Sequence, residues 1–106
     1  MLDAKIQEEI KSITQQIIKK YKPEKIVLFG SAAWGKFSND SDLDFLIIKK
    51  DTPYLGRDRM REVYKLIDKN VAADFLIYRP NEYKEGLKAG DPFLKVIASK
   101  GKVLYG

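Results

Sequence analysis

Ile26-Val27-Leu28-Phe29, Leu43–Ile48 and Val71–Tyr78 are short, nearly unbroken apolar runs rich in β-branched and aromatic residues. A strand with one wet face would alternate polar and apolar positions, so continuous runs of this length read as strands covered on both faces. The segments between them supply the cover. Ile6, Ile10, Ile13, Ile17 and Tyr21 recur at steps of four and three, which predicts an amphipathic helix over Leu2–Tyr21 with Asp3 as N-cap. Lys22-Pro23 ends it, because the residue before proline avoids the helical region. A second helix is expected over Arg57–Lys69, with Met60, Val63, Tyr64 and Ile67 on one face. Asn81 can cap a short helix over Glu82–Lys88, closed by Gly90. Asp91-Pro92 opens another over Pro92–Lys100, with Phe93, Val96 and Ile97 inward and Gly101 as its stop. Lys102–Tyr105 is a candidate edge strand. The order α-β-β-α-β-α-α-β predicts an α/β (α+β) fold with a small mixed β-sheet covered by helices.

At 106 residues the chain has the length of one domain, expected to occupy residues 1–106. It contains no cysteine and no histidine. That excludes a disulfide framework, a zinc or iron–sulfur site, and any Ser-His or Cys-His nucleophile. A metal would have to be held by oxygen, which favours magnesium, calcium or manganese. The apolar runs are far shorter than the ~20 residues that span a bilayer. Met1–Ile10 mixes charges of both signs without an apolar core, so no secretory signal is expected and a cytoplasmic location is. The net charge is +5, but the lysines are scattered and no run exceeds two, which argues for an ordinary solvated surface rather than a nucleic-acid stripe.

The chemistry is concentrated between Phe29-Gly30-Ser31 and Asp42-Leu43-Asp44, on either side of a polar segment, Ser31–Ser41, that holds Gly35, Ser38, Asn39 and Asp40. Period-two alternation puts Asp42 and Asp44 on one strand face, which continues as Leu46 and Ile48. Two carboxylates about 6 Å apart repel by roughly 3 kcal/mol at an effective dielectric of 20, a conflict that a divalent cation removes. The plain alternative is a polar turn with Asp44 facing solvent. Gly30 lets backbone approach a ligand with no Cβ in the way, and Ser31 adds a hydroxyl. The amides of Ser31-Ala32-Ala33-Trp34 can face an anion if they open a helical turn. Alone, Gly30-Ser31 is equally well a turn. Asp74 lies inside Val71–Ile77, where both faces look covered, so it is either satisfied locally, by backbone amides or Arg79, or part of a cluster with the other two aspartates. In the second case three carboxylates could hold two magnesium ions about 3.5–4 Å apart.

Gly30-Ser31, ten residues, Asp42, one residue, Asp44 resembles the G-S-x10-D-x-D signature of the polymerase-beta-type nucleotidyltransferase superfamily, and Asp74 fits its third acidic position. The compact length, the leading helix and the ending Gly101–Tyr105 resemble the minimal nucleotidyltransferases, the MNT antitoxins encoded beside HEPN-domain toxins. The resemblance implies that Gly30 and Ser31 hold the β- and γ-phosphates of a nucleoside triphosphate such as ATP. It also implies that Asp42 and Asp44 ligate both magnesium ions (or manganese), and that Asp74 ligates the catalytic one and helps deprotonate the attacking hydroxyl. Trp34 departs from the pattern, standing where many members carry arginine. It removes a cation from the triphosphate site and is expected to pack on the sheet, with stacking on a base as the alternative.

With one small domain there is no room for an acceptor platform, which is therefore expected from another chain, either a second copy or a different protein; the resemblance implies the latter, in a hetero-oligomer. The resemblance implies transfer of AMP to a tyrosine of a HEPN toxin, an antitoxin acting by AMPylation. Two other readings compete. One is a non-catalytic antitoxin that blocks its toxin by occlusion, favoured by Trp34 and opposed by three intact carboxylates. The other is a small nucleic-acid binder, for which Arg57, Arg59 and Arg61 come closest, although they are better read as a solvated or partner-facing helix surface.

Overall fold

The computed structural model describes residues 2–38 and 40–106; Met1, and Asn39 within the predicted turn, lie outside the described residues. Helix α1 spans Ala4–Gln16, and Asp3 caps it as expected, its carboxylate accepting from the Ile6 amide at 2.9 Å. The predicted helix does run to Tyr21, but its last turn, Ile17–Tyr21, widens to a π-helix and ends on Lys22 in the left-handed conformation (φ 56°). Four strands follow: β1 Lys25–Phe29, β2 Leu43–Ile48, β3 Ala73–Tyr78 and β4 Lys102–Tyr105. Between them lie α2 Ser31–Trp34, α3 Gly56–Leu66, α4 Pro80–Lys88 and α5 Pro92–Lys100.

The sheet order is β3-β2-β1-β4. Strand β1 pairs antiparallel with β2 and β4, whereas β2 and β3 run parallel through the crossover helix α3. The sheet is thus mixed and helix-covered, as the sequence predicts. Ile10, Ile13, Ile17 and Tyr21 join Val63 and Ile67 over one face, against Ile26, Leu28, Phe45, Ile47, Phe75 and Ile77. Leu94 and Ile97, with Tyr83 and Leu87, cover the other, against Val27, Phe29, Leu46 and Ile48. Continuous apolar runs are what a sheet sandwiched in this way requires.

Several local expectations are corrected. Helix α3 ends at Leu66 rather than Lys69, because Ile67 turns extended and the next amide, of Asp68, donates to the Gln16 side chain at 2.7 Å. Strand β3 starts at Ala73, not Val71. Helix α4 begins at Pro80, whose ring presets the helical φ, and its cap is reciprocal: Glu82 accepts from the Arg79 amide at 2.7 Å, so Asn81 is not the cap. In α5 the inward residues are Leu94 and Ile97, while Phe93 and Val96 are exposed. Gly86 explains part of that choice. A Cβ there would stand 2.5 Å from Leu94 Cδ1, so the missing side chain is what lets α4 and α5 close over Leu94. Among the described residues no helix is long and apolar enough to cross a membrane.

Candidate active site

The site residues meet at one end of the sheet, where β1 finishes and β2 and β3 begin. Strand register does the placing. Asp44 pairs with Phe29 on its antiparallel side and with Asp74 on its parallel side. Directly paired residues point to the same face, and neighbouring strands lie about 4.8 Å apart. Asp44 and Asp74 are therefore side by side, on the face that continues as Leu46, Ile48 and Leu76 beneath α4 and α5. Asp42 stands two residues before Asp44 and is exposed.

Gly30 completes the corner. Its backbone (φ 73°, ψ −158°) lies in a region open almost only to glycine. A Cβ there would collide with Asp44 Oδ2 and lie 3.1 Å from Asp44 Cγ. The backbone is thus pressed against the carboxylate. Ser31 opens helix α2, a single turn as expected for an anion-facing segment. The amides of Ala33 and Trp34, however, are spent on the Gly30 carbonyl, at 3.1 and 3.0 Å, so of that set only the Ser31 and Ala32 amides remain for a ligand.

Electrostatics mark Asp44 as the strained member. Burial pushes its pKa up to about 6, and the nearby charges of Asp74 and Asp42 add to the rise. Ionised, it stands against two like charges. Divalent cations fit this environment on two grounds: the donors are all hard oxygens, and the carboxylates repel one another. Among the described residues no three carboxylates form a ready-made metal cage. Magnesium commonly takes one or two carboxylates and completes its shell from substrate phosphates and water.

Asp74 differs from its sequence reading in one respect. It is exposed, because β3 is an edge strand and α4 and α5 cover the other end of that face. Arg79 is not its partner, since that guanidinium donates to the Thr52 carbonyl at 2.9 Å. The partner is Tyr64, which the sequence pattern places only on the apolar face of α3. Its hydroxyl donates to the Ala73 carbonyl at 2.7 Å and to Asp74 Oδ1 at 3.3 Å. Burial, then Asp74, raises the Tyr64 pKa above its ordinary value. Trp34, expected to pack on the sheet, is 43% exposed and is not among the residues packed against either core cluster.

Arg59 is also corrected, from solvated surface to the core. It donates to the carbonyls of Ile77 and Tyr54 (3.0 and 3.1 Å) and forks onto both carboxylate oxygens of Glu82 (2.7 and 3.1 Å). That hydrogen bonding holds the Glu82 pKa below the usual range. The cluster that most resembled a basic stripe therefore loses its central member to structure.

Residues 8–106 match the family described as Polymerase beta, Nucleotidyltransferase. The chain belongs to this nucleotidyltransferase family. Its chemistry is nucleotidyl transfer, which calls for a nucleoside triphosphate and generally for a divalent metal. Among solved structures, the nucleotidyltransferase chain is similar in fold to a candidate nucleotidyltransferase from Sulfolobus solfataricus, with a TM-score of 0.57 and 24% identity over 80% of this chain and 82% of that one. No curated protein sequence matches it.

Proposed function

We propose that this nucleotidyltransferase moves AMP from ATP to a protein hydroxyl, with Asp42, Asp44 and Asp74 as its metal-binding carboxylates and Gly30 and Ser31 as its phosphate-binding corner. The observation that carries the reading is the in-register pairing of Asp44 with Asp74, with Gly30 packed against Asp44. Two magnesium ions bound by the three aspartates would neutralise the triphosphate and polarise its α-phosphate.

The chain's own residues do the rest. Gly30 allows phosphate oxygens to approach the backbone, and the Ser31 hydroxyl and amide donate to them. Asp44, whose ionised form is disfavoured by burial and by like charges, gains most from a bound cation, which couples metal binding to a shift of its proton equilibrium. Asp74 stands exposed at the sheet edge, on the side where an acceptor approaches, and accepts the proton of the attacking hydroxyl. The pyrophosphate side of the reaction faces Gly30-Ser31, and in-line geometry places the acceptor opposite, near Asp74. The acceptor that the sequence resemblance implies is a tyrosine of a HEPN-domain toxin bound as partner. The mixed-sign surface and the burial of Arg59 support a protein over a nucleic acid.

The exposed Trp34 favours a second reading, a non-catalytic antitoxin that presents this ring to its toxin. Two experiments separate them. ATP titrated calorimetrically with magnesium, then with excess chelator, should lose its affinity on chelation; metal-independent binding would refute the two-metal site. Asp44→Asn and Asp74→Asn should each abolish transfer to the partner, read by intact-mass spectrometry. Undiminished toxin neutralisation by both variants would assign the protein to occlusion instead.

A further inference from the structure

Asp74 has an unusual setting for a group that must meet a reacting hydroxyl at a fixed distance. It is exposed on an edge strand, and among the described residues no ion pair restrains it. An exposed carboxylate with no partner samples several rotamers, and each non-productive one removes part of the advantage of held geometry. Tyr64 alters this. Helix α3 covers the opposite face of the sheet, yet Tyr64 reaches round the outer edge of β3. Its ring stands edge-on to Phe75, with centroids 5.2 Å apart at 72°. Phe75 is fully buried and stacks in turn on Phe45 at 5.5 Å. The hydroxyl is pinned to the unpaired edge carbonyl of Ala73 at 2.7 Å and reaches Asp74 Oδ1 at 3.3 Å.

We infer that Tyr64 is a positioning residue for Asp74: a phenol anchored to the core and to the strand edge selects the carboxylate rotamer that faces the acceptor. The inference rests on the nucleotidyl-transfer reading for its consequence, but not for its geometry. One phenolic proton serves two acceptors, so the short bond to Ala73 fixes the hydroxyl and the longer one orients Asp74. On that reading the β- and γ-phosphates are held through Gly30, Ser31, Asp42 and Asp44, none of which Tyr64 touches in a hydrogen bond, and Asp74 is the member nearest the acceptor. The effect of removing the hydroxyl therefore falls on turnover.

Tyr64→Phe keeps the ring contact with Phe75 and removes only the hydroxyl. The first measurement uses the substrate-free protein: three-bond couplings to the Asp74 Cβ protons, by nuclear magnetic resonance, report its χ1 populations. A single rotamer is expected in the parent and an average of several in Tyr64→Phe. An Asp74 side chain that already averages in the parent, or that stays fixed in the variant, overturns the inference. The second measurement is steady-state transfer, where kcat should fall on the order of tenfold with KM for ATP within about twofold, while loss of the bond to Ala73 lowers the melting temperature by only a few degrees. A matching change in KM, or an unchanged kcat, also overturns it. Failure of the nucleotidyl-transfer reading is distinguishable, because it would show as Asp44→Asn leaving metal-dependent ATP binding intact while the Asp74 couplings still respond to Tyr64→Phe.

Discussion

Replacing Asp44 by Asn should make the metal-free protein more stable, and only above a defined pH. The Asp44 pKa is raised from 3.8 to about 6 in the folded protein, first by burial and then by Asp74 and Asp42. A group whose folded pKa lies above its unfolded one contributes stability at low pH. That contribution is lost as pH rises from about 4 through about 6. A shift of about two units corresponds to at most roughly 3 kcal/mol. Asp44 is only half-buried, and solvent screening reduces the expected cost at neutral pH to about 1–2 kcal/mol. In a domain of this size each kcal/mol moves the melting temperature by about 4–8 °C. The assay is thermal unfolding of parent and Asp44→Asn in chelator, at steps from pH 4 to pH 8. The two curves should coincide near pH 4, diverge across pH 4–6 and then run parallel, with the variant higher. A variant less stable than the parent at pH 7.5, or a difference that does not vary with pH, would refute the claim that Asp44 is an electrostatically strained carboxylate.

Two further substitutions test the frame around the site. Gly30→Ala must hold an alanine at φ 73° and place its Cβ against the Asp44 carboxylate, so it should cost about 1–3 kcal/mol in urea unfolding and weaken ATP binding along with it. Arg59→Leu leaves Glu82 and several carbonyls without their donor and should cost about 3 kcal/mol. ATP affinity per folded molecule, by calorimetry, should be unchanged, because Arg59 lies at the far end of β3 from Asp74.

What could be read from the sequence follows from what each residue answers to. The strands were visible because both of their faces are buried, which leaves a continuous apolar record in Ile26–Phe29 and Leu43–Ile48. The carboxylates were visible for the converse reason: Asp44 and Asp74 interrupt such records. Their adjacency was not, because strand order and the parallel direction of β3 are set by packing across the sheet, with no local signal in either segment. Arg59 and Tyr64 were hidden more completely. Their partners are largely backbone carbonyls, of Ile77, Tyr54 and Ala73, which every residue carries and no pattern marks. Between Arg57 and Arg61, Arg59 looks like one more surface cation. Its burial follows from the turn that brings Tyr54 and Glu82 to it. Phe93 and Val96 stay exposed for a simpler reason: α5 is short, and Leu94 with Ile97 is enough to cover Val27 and Phe29.

The parallel pairing of β2 with β3 also bears on how errors of assembly are detected. Side chains alternate along a strand, so a slip of one residue would turn Asp74 towards Val63 and the buried isoleucines, and Phe75 out to water. The mis-set chain would then bury a lone carboxylate and expose a large ring at once, both costly. No separate device is needed to keep the acidic pair aligned. The aspartate proposed for the reaction would thus also proofread the sheet, so a molecule that has folded to its full stability has, by that fact, Asp44 and Asp74 side by side.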